Sequence, residues 1–81
     1  MEIFITNKKD ILLEFFLKNP TKEVHLRELA RITKISFPWV RKQGAWLVKQ
    51  NIVEEKKEHG LVLLQAKRGG EEFMAIKKVW N

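Results

Sequence analysis

Arg41, Lys42 and Lys49 lie within "SFPWVRKQGAWLVKQ", residues 36–50, a stretch without an acidic residue. Three cations with no neighbouring carboxylate attract a polyanion, though charge alone selects no sequence. The same stretch carries Trp39 and Trp46, a residue type that anchors interfaces, and Gln43, whose amide both donates and accepts. At about 100° per residue, Trp39, Lys42, Trp46 and Lys49 share one side of a helix. Gln43 and Gln50 stand at one edge of that side and Arg41 at the other, while Val40, Gly44, Leu47 and Asn51 fall opposite. A solvated, lysine-rich surface would have the same composition, so charge leaves both readings open.

Other chemistries find few residues. Glu54 and Glu55 are adjacent in a strand-like stretch, so they point to opposite faces and cannot share acid–base work. "RGG" at residues 68–70 lacks the lysine and spacing of a phosphate loop. There is no Cys, and His25 and His59 are too few for a His-only metal site. No Ser has a His partner at a recognisable spacing. The expectation is a non-enzyme without cofactor or metal.

The 81 residues predict one domain over 1–81 with a modest core. A hydrophobic share of 44% favours a folded chain over disorder. The absence of Cys fits a reducing cytoplasm. No apolar run is long enough to span a membrane and no charged-then-apolar leader is visible. A charged share of 32%, rich in Lys and Glu, suggests a thermophilic source. The net charge of +6 is spread unevenly. Residues 51–60 are net acidic, and only 36–50 is purely basic.

The elements that must position these residues follow from local pattern. "MEIF" is a short strand or arm. A first helix follows, capped by Asn7 with Asp10 and stopped at Asn19-Pro20. Its stripe of Ile11, Leu12, Phe15 and Phe16 is widened by Leu13 and Leu17, an apolar circumference that suggests a partner. Glu23 to His25 is a very short strand. A two-turn helix then buries Leu26, Leu29, Ala30 and Thr33 and turns Arg27, Glu28, Arg31 and Lys34 outward. Ser36 caps the next helix, with Pro38 in its first turn. Ile52-Val53 and Leu61 to Gln65 read as a hairpin turning at Glu58-His59-Gly60, Gly60 taking a positive φ. A last helix over 71–80 has acids first and lysines last, and a stripe of Phe73, Ile76, Val79 and Trp80. The fold class expected is mainly α with a small β-hairpin.

Helix, turn, helix and hairpin in this order resemble the winged helix-turn-helix family, through "HLRELARITKISFPWVRKQGAWLVKQNIV" at residues 25–53. Leu29-Ala30 match its apolar-plus-small pair, Ile35-Ser36 its turn and cap, Val40 and Leu47 its core positions, and Ile52-Val53 the start of its wing. "EFMAIKKVWN" looks like the tail of small archaeal members. Lys34 departs from the family's turn glycine, and Gly44 from its usual leucine. Gly44 costs about 1 kcal/mol of helix propensity against Ala. It is either a weak point or room for a large neighbour, with Phe15, Phe16 or Phe37 as candidates.

The resemblance implies sequence-specific binding of double-stranded DNA and transcriptional regulation, with the helix over 37–50 in the major groove. Helix-turn-helix, wing and last helix would occupy about 26–50, 52–66 and 71–80. Trp39, Lys42 and Gln43 would then reach bases or the thymine methyl, Lys42 and Gln43 foremost, while Arg41 and Lys49 reach phosphates; Ser36 is a further DNA-binding candidate. Arg27 and Arg31 are further phosphate candidates. Lys56, Lys57 and His59 would contact the backbone from the wing, unless the hairpin only covers the core. Arg31 can instead pair with Glu28 or Glu23. A homodimer is expected through Leu13, Leu17, Phe73, Ile76 and Trp80. Trp46 is expected under the hairpin or against a second subunit. The alternative is a protein-interaction module anchored by Trp39 and Trp46.

Overall fold

The computed structural model describes residues 8–79. The "MEIF" segment, the Asn7–Asp10 cap and Trp80 lie outside the described residues and side chains. The elements are α1 (Lys8–Lys18), β1 (Val24–His25), α2 (Leu26–Thr33), α3 (Phe37–Lys49), β2 (Val53–Glu58), β3 (Leu61–Ala66) and α4 (Glu71–Val79). The strands form one antiparallel sheet in the order β1-β3-β2. No described helix is long and apolar enough to cross a membrane.

Each element ends where its chemistry requires. Asn19 closes α1 by donating both its backbone N–H and its side-chain amide to the Phe15 carbonyl, at 2.9 and 2.8 Å. Lys34 closes α2 in the left-handed region, φ 60° and ψ 35°, and Ile35 N–H reaches back to Ala30 O at 3.2 Å. Asn51 does the same after α3 at φ 66°. Its N–H donates to Val48 O and that of Ile52 to Leu47 O, both at 3.0 Å, a Schellman closure. Only glycine takes a left-handed backbone without steric cost. Lys34→Gly is therefore expected to raise stability by about 1 kcal/mol, read as an upward shift in thermal midpoint.

Hairpin β2–β3 turns on two residues, His59 at φ 50° and Gly60 at φ 77°. Positive φ at both central residues makes the turn type I′, whose twist suits flanking strands. The sequence pattern pointed to Gly60 alone. Glu58 pairs with Leu61 and Val53 with Ala66.

The core gathers Leu12 and Phe16 from α1, Val24, Leu29, Val40 and Leu47 from the middle elements, Val53 and Leu64 from the hairpin, and Phe73 from α4. Gly44 is room for a neighbour, and that neighbour is not a phenylalanine. A Cβ there would meet Leu64 Cδ1 at 3.0 Å and Leu26 Cδ2 at 3.5 Å. Leucines from the wing and from α2 thus close over the helix at the glycine.

Two residues expected at a dimer surface are core residues instead. Leu17 is 5% exposed and Phe73 is 2% exposed. Both belong to the central cluster, because α1 and α4 wrap a core too small to be closed from one side. The wide apolar face of α1 is thereby largely used within the chain. Leu13 and Ile76 pack against the core but remain partly accessible.

Candidate nucleic-acid interface

Helix α3 buries Val40, Gly44 and Leu47, which fixes its rotation. Opposite them, Arg41, Lys42, Ala45, Trp46 and Lys49 are exposed and form a convex ridge. Trp39 is half-buried, with Lys42 Nζ 5.9 Å from its ring centroid, so the ammonium is held over an aromatic face. Ser36 is exposed at the N-cap, but its side chain makes no capping hydrogen bond. Only its carbonyl serves the helix, accepting from Val40 N–H at 3.0 Å.

Gln43 is not on the ridge. It is 7% exposed, and its Oε1 has no hydrogen-bond partner among the described residues. The reason is angular: Val40 is three residues before it and Leu47 four after, so Gln43 shares their row. The expectation that Gln43 reads bases is overturned by this burial. Ala45 takes a place on the ridge that the sequence reading passed over. The helical wheel puts it between Arg41 and Lys49, but a side chain without a polar group drew no notice.

On α2, Arg27 lies 4.3 Å from the centroid of Phe37, which holds its guanidinium beside the start of α3. Arg31 pairs with Glu28 at 3.6 Å, both exposed enough that the pair contributes little. Arg27 is thus positioned by an aromatic ring, while Arg31 has a local acid to hold it.

The wing divides its cations. Register places Glu55 opposite Leu64 and Lys57 opposite Val62, on the face shared with Val53. Lys56 is on the other face. Its ammonium is tied to the Glu23 carboxylate across the sheet. That hydrogen bond, then the charge of Glu23, raises the Lys56 pKa above its ordinary 10.5. A lysine with a raised pKa gives its stabilisation in full below the ordinary value and loses it as pH rises through the higher one. On the lysine side, the tie therefore holds throughout the neutral range and weakens in strong alkali. Glu23→Gln is expected to leave the thermal midpoint at neutral pH close to that of the parent, because exposed pairs are worth little. Lys57 and His59 remain exposed at the wing tip.

Between α3 and the wing runs a groove. Its wider part, about 510 Å³, is lined by His25, Arg27, Phe37 and Arg41 on the helical side and Gly60, Leu61 and Val62 on the wing. A narrower part, about 180 Å³, lies against Arg41, Gly44, Ala45 and Val48, with Glu55 from β2. Trp46 is not among these lining residues. It stands 39% exposed, so of the two places expected for it, the hairpin does not cover it, and a second subunit is left as the other. Among the described residues, no group of three or more His, Cys, Asp or Glu could hold a metal ion.

No family model and no curated protein matches the sequence. Solved structures do match in fold. HlyU from Vibrio cholerae N16961 superposes with a TM-score of 0.67 at 22% identity, covering 93% of this chain and 77% of that one. An E. coli protein described as a predicted DNA-binding transcriptional regulator gives 0.68 at 19% identity, over 91% and 75% of the two chains. A possible transcriptional regulator from Methanosarcina mazei Go1 gives 0.70 at 13%, over 90% and 63%. Among the described residues, four helices and a three-stranded antiparallel sheet, with its hairpin beside an exposed third helix, make this a winged helix-turn-helix fold.

Proposed function

We propose that this chain binds double-stranded DNA sequence-specifically and regulates transcription, with α3 in the major groove and the tip of the wing on the backbone. One observation carries the reading: the exposed ridge of α3 holds Arg41, Lys42 and Lys49 and no carboxylate. An α-helix fits a major groove, and cations along its flanks neutralise phosphate on either side. Two structurally similar proteins are described as a predicted and a possible transcriptional regulator, which supports the regulatory part of the reading.

In this arrangement Lys42 reaches base edges from the middle of the ridge. Arg41 and Lys49 lie on phosphates at its flanks. Arg27 approaches the backbone from α2 and Lys57 with His59 from the wing. Ser36 lies near the backbone at the start of α3. Lys56 contributes least, since Glu23 holds it on the far face of the sheet. Arg31 is weakened by Glu28.

A homodimer completes the proposal. Its surface combines the accessible parts of Leu13 and Ile76 with the C-terminal end of α4, where Val79 is exposed. Selection of duplexes from a random pool tests both parts. The expected product is a pair of inverted half-sites with centres about 34 Å apart, one DNA turn. Light scattering on the free protein should give twice the chain mass. A selected pool with no common sequence contradicts the specific reading, and a chain-mass monomer contradicts the dimer.

The exposure of Trp46 supports a second reading, in which the two tryptophans anchor a protein partner and the lysines are its polar rim. Trp46→Ala would then abolish the function while charge reversal on the ridge leaves it largely intact.

A further inference from the structure

The burial of Gln43 changes what the α3 ridge can recognise. Bidentate recognition of adenine uses Asn or Gln, and the amide in the middle of this helix is turned into the protein. Between its cations, the ridge exposes apolar side chains instead. Pro38 and Ala45 are both exposed and seven residues apart, so they lie on one line along the helix. Around Ala45, the helical neighbours four and three residues before it are Arg41 and Lys42, and four after it is Lys49. A methyl group is thus framed by cations that would bind phosphate on both sides.

The major groove offers one apolar feature to such a surface, the C5 methyl group of thymine. Resting on the DNA-binding reading above, we infer that Ala45, with Pro38 as a second contact, makes this chain a reader of thymine methyl groups. The preferred ligand is then a duplex with thymines in the middle of each half-site. Beside Ala45, Arg41 anchors a phosphate and Lys42 adds hydrogen bonds to a neighbouring guanine where one is present. Ala45 also lines the narrow end of the groove beside the wing, which Val62 and Glu55 line from the hairpin.

Exchanging thymine for uracil in the selected duplex tests this, because it removes the methyl and leaves every hydrogen-bonding group. Each exchange at a central position is expected to weaken binding roughly threefold to fivefold, the worth of one buried methyl. Exchanges outside the half-sites are expected to change nothing. The thymine-to-uracil ratio should then fall towards one in Ala45→Ser, which turns the methyl into a polar hydroxymethyl at the cost of one added oxygen, with its melting temperature measured alongside. Equal affinity for thymine and uracil duplexes at every position, with salt-dependent binding intact, would overturn the inference while leaving DNA binding standing. A ratio unchanged in Ala45→Ser would overturn the assignment to this residue. Failure of every duplex to bind at low salt would overturn both readings.

Discussion

Reversing Lys42 and Lys49 together to Glu is expected to lower duplex affinity by about a hundredfold or more at low salt. Each cation neutralises about one phosphate, and each reversal replaces an attraction with a repulsion. The slope of log affinity against log salt should fall by about one unit or more per residue. Both side chains are exposed, and neither forms an ion pair among those seen in the described residues. The double variant should therefore fold normally, with a thermal midpoint close to that of the parent. Lys56→Glu is the control. It removes a cation already committed to Glu23 on the opposite face of the sheet, so it should reduce affinity far less. The double reversal changes the net charge by four and Lys56→Glu by two, so a Lys56→Glu loss half as large on a logarithmic scale would mean that net charge, not the α3 ridge, governs binding.

Gly44→Leu should destabilise the fold by about 1–3 kcal/mol, even though leucine is the better helix former. A Cβ alone already approaches Leu64 Cδ1 to 3.0 Å, and leucine adds three more carbons in the same direction. Leu64 is 2% exposed and belongs to the central cluster, so it has little space to retreat into. The strand that carries it also pairs with both other strands, and the strain passes directly to the wing. Gly44→Ala is a closer contest. It gains about 1 kcal/mol of helix propensity, and the one tight contact, with Leu64, is at the end of a side chain that can shift by a few tenths of an ångström. Near-neutral stability is the expected result for alanine. Thermal melts of both variants decide it, since 1 kcal/mol moves the midpoint of a domain this size by about 4–8 °C. A stabilised Gly44→Leu would show that the glycine is a weak point and not a packing site.

Local chemistry made most of the architecture readable. The helix-turn-helix, the hairpin and the turn at Gly60 all follow from capping, spacing and φ preferences within a few residues. So does the left-handed Lys34, whose place in the turn was visible before its geometry was. Asn51 carried the same signal, an asparagine just past a helix end, and the reading overlooked it.

What was not readable depended on how wide each buried face is. The wheel gives the direction of Gln43, Leu17 and Phe73 but not how far neighbouring elements wrap around. In a small chain they wrap far, and all three are buried. The Lys56–Glu23 tie joins residues from opposite ends of the sheet order, so no local pattern announces it. The occupants of the space over Gly44 depend on the same long-range packing, which brings Leu26 and Leu64 together.

The most direct test is a fluorescence-polarisation titration of the intact chain with a random duplex at 50 mM and 200 mM salt. If the acid-free side of α3 seats in a groove of phosphates, affinity falls steeply between the two, on the order of tenfold or more for a few ionic contacts. A duplex that fails to bind at 50 mM, or binds with the same strength at both concentrations, would show that this surface serves some other partner.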